Sequence, residues 1–388
     1  MRTIPYGRQE ILQQDIDAVE QVLRSDFLTQ GDVVPRFERC VTQACGAAHA
    51  VAVNSATSAL HLACAALGLG PGDWLWTTPI TFVASANCGL YCGAQVDFVD
   101  IDPRSYNLSP DALARKLEQA ARENRLPKVI VAVHLCGQPC DMRAIAELTR
   151  PYGIRLIEDA SHAIGGRYLE APVGNCAWSD ITVFSFHPVK VVTTAEGGAA
   201  VTNDAALAAR MALLRSHGIT RDAAQMTHEP DGPWYYQQIE LGFNYRMTEL
   251  QAALGVSQMA RLESYVARRH ALAARYDKLL ASLPVTTPWQ LPGTYSGLHL
   301  YVIRLQLASI GRSHRAVFES MRAQGIGVNL HYIPVHLQPY YARMGFRPGD
   351  FPAAEQYYAE AISLPMFPAM SDEDLDRVVA ALRRSLAA

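Results

Sequence analysis

Lys190 lies in Ser185-Phe186-His187-Pro188-Val189-Lys190, ahead of Val191-Val192-Thr193-Thr194-Ala195-Glu196-Gly197-Gly198. The run Ile181 to Phe186 is apolar and reads as a buried strand, Pro188 breaks it, and the glycine pair marks a tight turn. A lysine leaving a buried strand is ordinarily a surface residue with its head in water. Upstream, however, Leu156-Ile157-Glu158-Asp159-Ala160-Ser161-His162 brings acids and an imidazole to the end of another apolar run. An amine and a carboxylate delivered from two strand ends suit covalent catalysis on a carbonyl.

With pyridoxal 5'-phosphate (PLP), such an amine forms an imine and the cofactor ring takes up electrons. That chemistry needs a carboxylate beside the ring nitrogen. Asp159 is the candidate: the predicted strand Ile154 to Ile157 places it at the carboxyl edge of a sheet, where open α/β folds bind ligands. The alternative is that Glu158-Asp159 opens a solvated loop. A phosphate cup is offered by Asn54-Ser55-Ala56-Thr57-Ser58-Ala59. Small and hydroxyl residues there open a helix whose free N–H groups and dipole favour an anion, although the same residues also serve as plain caps. Ser185 could add a hydroxyl to that anion. Phe82, in Pro79-Ile80-Thr81-Phe82-Val83-Ala84, either stacks on a cofactor face or belongs to the core. His162 either hydrogen-bonds the ring hydroxyl, covers the other face, or is a satisfied loop histidine.

The elements that must hold these residues alternate. Strand candidates are Val96 to Val99, Val129 to Val133, Ile154 to Ile157 and Ile181 to Phe184. Helical stretches such as Pro110 to Glu123 and Met142 to Thr149 separate several of them, which predicts βαβ units and a mostly parallel sheet covered by helices. Helices are also predicted over Asp15 to Arg24, Ser55 to Leu67 and Thr248 to Met259, with a loop from Ser25 to Gly31. From Arg261 to Ala281 runs a long charged helix. An alternating strand within Leu298 to Leu307 and a terminal helix from Asp372 to Leu386 follow. This predicts a large domain over 1–261 and a smaller α+β domain over 262–388.

The 388 residues suffice for a large core, and 49% hydrophobic with 18% charged residues describes an ordinary globular enzyme. A net charge of −3 offers no attraction to nucleic acid or anionic lipid, so neither is an expected partner. The first residues lack the apolar stretch of a signal peptide and no run approaches a membrane span, which predicts a cytoplasmic protein. Eight scattered cysteines read as reduced thiols. Cys136 and Cys140, with three residues between them and His134 nearby, lack zinc-site spacing, and no metal is expected.

Together these motifs resemble the sugar aminotransferases of the DegT/DnrJ/EryC1/StrS family, within the fold-type I PLP-dependent enzymes. The resemblance spans essentially the whole chain. It rests on Ser55 to Leu60, Thr81 to Ser85, Glu158 to His162, Ser185 to Lys190 and Gly242 to Ala253. Within the family the nearest likeness is to transaminases of the pseudaminic acid pathway, through Ser25 to Gly31, Arg215 to Thr220 and Val328 to His336. The resemblance implies an α/β fold-type I enzyme with Lys190 as the Schiff-base lysine. It puts Asp159 at the ring nitrogen, and Thr57 and Ser185 near the phosphate. It implies a homodimer in which Asn244 enters the active site from the neighbouring subunit. Tyr6, Asp26, Phe27, Leu28, Thr29, Ala56, Asn329, Leu330, His331 and Tyr332 would line the sugar-nucleotide site. The implied substrates are L-glutamate and a UDP-linked 4-keto sugar, UDP-2-acetamido-2,6-dideoxy-β-L-arabino-hexos-4-ulose.

From the residues alone, His331, Tyr332 and His336 could bind a diphosphate or sugar, or could pack a domain junction. Asn244 could be a turn residue ahead of its helix. The rivals are an enzyme acting on a D-configured 4-keto isomer or a 3-keto sugar, a PLP-dependent sugar dehydratase, and a non-catalytic cofactor-binding regulator. In the dehydratases histidine replaces the lysine, which Lys190 disfavours; no DNA-binding extension supports the regulator.

Overall fold

The computed structural model describes residues 2–387. Its centre is a seven-stranded sheet of β1 (His49–Val53), β2 (Trp74–Thr77), β3 (Gln95–Phe98), β4 (Val129–Val133), β5 (Arg155–Asp159), β6 (Ile181–Ser185) and β7 (Gly198–Thr202). Across the sheet the order is β1-β7-β6-β5-β4-β2-β3. Every neighbouring pair from β3 to β6 is parallel, while β7 runs antiparallel to both β6 and β1. Two reversals cancel, so β1 points the same way as β6. The carboxyl ends of β1, β2, β4, β5 and β6 therefore meet along one edge.

The sheet is covered because its strands demand it. Val-Ile-Val-Ala-Val in β4 is buried throughout, as a central parallel strand with helices on both faces must be. Helix α1 (Gln13–Leu23) and helix α2 (Val33–Cys45) precede β1, and helix α3 (Ala56–Ala66) follows it, capped by the Ser55 hydroxyl on the Ser58 N–H. After β2 comes α4 (Ala84–Tyr91). Between β3 and β4 lies α5 (Pro110–Arg122), started by a Ser109 cap and Pro110 at its first position. Helix α6 (Met142–Thr149) leads into β5, α7 (Ala205–Arg215) follows β7, and α8 (Glu249–Met259) is followed directly by α9 (Leu262–Leu280).

Beyond α9, β8 (Val285–Thr286), β9 (Tyr301–Leu305) and β10 (Ala361–Leu364) form an antiparallel sheet in the order β8-β9-β10. It shares a second core with α9, α10 (His314–Ala323) and the last helix, α11 (Asp372–Ala387). Ile4 joins that core and pairs with Ile326, which fixes the start of the chain against it and carries Tyr6 toward the large sheet.

Two expectations change. The predicted strand Ile154 to Ile157 extends to Asp159, so the carboxylate sits on the strand itself and not beyond it. The glycine pair makes no left-handed turn. Ala195 carries the positive φ, at 66°, and the glycines serve close approach. A Cβ on Gly198 would lie 2.5 Å from the Ala56 nitrogen, because β7 passes directly beneath the start of α3. No helix among the described residues is long and apolar enough to cross a membrane.

Candidate active site

Strand periodicity divides the Glu158-Asp159 pair. Successive side chains on β5 point to opposite faces, so the two acids enter different surroundings. Glu158 accepts hydrogen bonds from Ser179 Oγ (2.5 Å) and Thr182 Oγ1 (3.2 Å), and pairs with His134 Nε2 at 2.7 Å. His134 Nδ1 accepts from the Cys140 N–H at 3.1 Å, so the imidazole proton lies on Nε2 and points at Glu158. His134 is thereby held within the fold.

Asp159 faces the carboxyl-edge cavity and is itself buried. Its Oδ1 accepts from the Ser161 N–H at 3.1 Å and its Oδ2 from Ser85 Oγ at 2.6 Å. Ser85 spends its one proton on Asp159, so the contact with Thr81 Oγ1 at 2.7 Å has Thr81 donating to Ser85. A chain of two hydroxyls thus ends on the carboxylate and fixes its orientation.

The cavity is about 570 Å³. On its floor stand Asp159, Ser185 and Lys190, with Ala56 and Thr57 at the start of α3. The N–H groups of Ala56 and Thr57 have no acceptor within the described residues, as expected of the first helical turn. Lys190 makes no ion pair or side-chain hydrogen bond there. Burial lowers its ammonium from the ordinary lysine value to about 8, against the opposing charge of Asp159.

The opposite wall carries Tyr6 and Asn329 to Tyr332. His331 is fixed by Ser363 Oγ at 2.7 Å from its Nδ1, and its carbonyl accepts from Tyr357 Oη at 2.7 Å. Burial and the Lys190 charge bring His331 down to about 3. His162 accepts the Cys136 N–H on Nδ1 at 3.2 Å, which leaves its proton on Nε2 to donate to Tyr332 Oη, also at 3.2 Å. Its ring packs 4.5 Å from that of His299. Burial keeps both imidazoles well below their ordinary range and therefore neutral. Phe82 lies 6.1 Å from the Tyr332 ring and is 57% exposed at the mouth, outside the core.

The cavity gathers Tyr6, Ala56, Thr57, Phe82, Asp159, His162, Ser185, Lys190, Asn329, Leu330, His331 and Tyr332 from six separate stretches of sequence. Asp26, Phe27, Leu28, Thr29 and Asn244 are exposed on the single chain and do not line it. His336 is fully buried, pairs with Glu355 at 3.0 Å and packs on Phe351; of its two readings, the packing one holds. The reading missed Thr81, Ser85, Glu196 and His299. Thr81 and Ser85 are four residues apart in a motif already singled out, so their spacing was a usable signal. His299 has no local signature, since only the fold brings it beside His162.

This donor set fits PLP. Two open N–H groups with the hydroxyls of Thr57 and Ser185 match a phosphate. An anchored carboxylate matches a ring nitrogen, and an unpaired amine near neutrality matches an aldehyde.

A family model described as the DegT/DnrJ/EryC1/StrS aminotransferase family matches residues 9–383. The spore coat polysaccharide biosynthesis protein SpsC of Bacillus subtilis is 38% identical over 98% of this chain and 96% of its own. Among solved structures, Helicobacter pylori PseC, an aminotransferase involved in the biosynthesis of pseudoaminic acid, matches with a TM-score of 0.90 at 30% identity, covering 100% of both chains. The PLP form of the putative sugar aminotransferase Spr1654 from Streptococcus pneumoniae matches with a TM-score of 0.88 at 27% identity over 99% of both. Sequence and fold agree along nearly the whole length, and the chain belongs to the DegT/DnrJ/EryC1/StrS aminotransferase family of PLP-dependent enzymes.

Proposed function

We propose that this aminotransferase moves the amino group of L-glutamate to C4 of UDP-2-acetamido-2,6-dideoxy-β-L-arabino-hexos-4-ulose, in the pseudaminic acid pathway. The observation that carries the reading is the meeting, in one cavity, of an unpaired amine, an anchored carboxylate and an open helix start with a wall of Tyr6 and Asn329 to Tyr332. The likeness to PseC across the whole fold supports the choice of sugar.

When bound, PLP supplies an aldehyde for the lysine and a ring that takes up the electron pair of a broken C–H bond. The Lys190 amine would remove the proton from the donor Cα and could return it to the cofactor carbon on the far side of the donor nitrogen. Burial, which lowers its ammonium to about 8, suits it to both roles near neutral pH. Asp159 keeps a proton on the ring nitrogen, held in place by Ser85 and the Ser161 N–H. Ala56, Thr57 and Ser185 hold the phosphate, while Phe82 and His162 flank the ring. At His162 the role of covering a face is favoured, because both nitrogens already have protein partners. His331 and Asn329 meet the sugar nucleotide.

Asp26 to Thr29 and Asn244 complete the substrate site from the neighbouring protomer of a homodimer, a reading supported by their exposure on the single chain. A large domain over 1–261 and a small one over 262–388 close around the cavity. The eight free thiols agree with a reducing, cytoplasmic setting.

The test is spectroscopic. PLP-loaded protein should show visible absorbance that L-glutamate bleaches, and the L-arabino 4-keto sugar should restore it faster than the D-configured isomer or a 3-keto sugar. Faster restoration by either rival overturns the assignment of the sugar; failure of glutamate to bleach overturns the donor.

A further inference from the structure

Helix α2 starts in an unusual way. Asp32 stands at its N-cap position but has helical φ and ψ, and its side chain caps nothing. The first N–H groups of the helix are satisfied instead by Glu249, the first residue of α8. Glu249 Oε2 accepts from Val33 N at 2.6 Å and Oε1 from Val34 N at 3.3 Å. The carboxylate is 1% exposed, and the Glu249 N–H donates to the Leu28 carbonyl at 3.0 Å. One residue therefore holds both ends of the stretch from Leu28 to Val34. The fit is close: a Cβ on Gly31 would come within 3.0 Å of both Glu249 Oε2 and the Phe27 Cβ.

The other side of the loop is fastened to the same helix. Asp15 on α1 is also 1% exposed and is bonded to Ser257 Oγ (2.6 Å), Gln258 Nε2 (3.0 Å) and Arg261 Nη2 (2.7 Å), at the far end of α8. A buried carboxylate stays charged only when so bonded, and a helix start favours the negative charge that Glu249 brings. Asn244 lies five residues before Glu249 on the segment leading into α8. The loop Asp26–Thr29 and Asn244 are thus mounted on one frame.

We propose that Glu249 is a positioning residue for the sugar-nucleotide half of the reaction, setting the Asp26–Thr29 loop in register with Asn244. The inference rests on the reading that this loop and Asn244 face the sugar nucleotide. It predicts a split between half-reactions that share one cofactor. Glu249 does not line the cavity that holds Lys190 and Asp159. In PLP-loaded Glu249→Gln, bleaching by L-glutamate should keep the wild-type rate, while kcat/KM for restoration by the keto-sugar nucleotide falls about tenfold through KM. Gly31→Ala, which crowds the same contact while keeping the carboxylate, should show the same selective loss.

Phe27→Ala on the loop is the control. If it impairs sugar turnover and both variants leave it unchanged, the positioning role is overturned and the loop assignment stands. If Phe27→Ala also leaves sugar turnover unchanged, the loop assignment itself fails, and the inference with it. Equal loss of both half-reactions in Glu249→Gln and Gly31→Ala would mean that the contact merely holds the fold, and would overturn the proposal.

Discussion

Two stretches that the family resemblance assigns to the sugar site have opposite structural characters. Asn329 to Tyr332 is built into the cavity wall, tied by Ser363, Tyr357 and His162. Asp26 to Thr29 is exposed, with Phe27 62% and Leu28 46% open to solvent, and is fastened through backbone carbonyls, Leu28 by the Glu249 N–H and Phe27 by the Ser25 hydroxyl. On the proposed reading, a single chain assembles the lysine, the carboxylate and the open helix start that the cofactor needs but only one wall of the substrate site. Covalent chemistry and substrate choice would then be separable, and the two should respond differently to perturbation.

The largest effect should come from the cofactor side. In Asp159→Asn, the amide oxygen would keep the Ser161 N–H and the amide N–H₂ would face Ser85 Oγ, whose proton would have to turn to Thr81, and no charge would hold the ring proton. Turnover should fall by roughly 10²-fold or more, and bleaching by glutamate should slow by the same factor with PLP still bound. A variant that bleaches at the wild-type rate would remove Asp159 from that role.

A change of about tenfold is expected from pH. Lys190 is lowered to about 8, so its neutral, nucleophilic form gains population as pH rises through that value. Covalent attachment of PLP to the apoprotein should accelerate about tenfold from pH 7 to 9 and then level off, as one titrating amine requires. An attachment rate still climbing steeply above pH 10 would mean the amine is not desolvated.

The smallest effect tests the substrate side. If Asn244 serves the neighbouring protomer, co-expressed Lys190→Ala and Asn244→Ala chains, each nearly inactive alone, should together recover about a quarter of wild-type activity, from mixed dimers with one intact site. No recovery would place Asn244 in its own chain's site.

Much of this arrangement was legible because local and global signals agree. Pro110, Ser109 and the amphipathic run behind them specify α5 without help, and a run of β-branched residues interrupted once, by Ala132, specifies β4. Strand β7 escaped notice because Gly-Ala-Ala-Val-Thr has little intrinsic preference for a strand; its pairing with β1 and β6 makes it one. At the site, Lys190 and Asp159 could be read because covalent chemistry restricts the residue types that can perform it. His299 could not, because an imidazole packed on another is a product of packing between distant segments; for Ser85 the spacing to Thr81 was a signal, but its carboxylate partner was set only by the fold. The separate fate of Glu158 is visible once the strand is known to run through Asp159.

Gly198 makes a point about mutational tolerance. It does not itself line the cavity, yet β7 passes so close beneath α3 that one added methyl group would meet the backbone nitrogen of Ala56, which does. That methyl would shift the helix end whose open N–H groups are proposed to hold the phosphate. In a saturation library of this enzyme, position 198 should rank with residues that touch the cofactor, and a map coloured by distance from the chemistry would misjudge it.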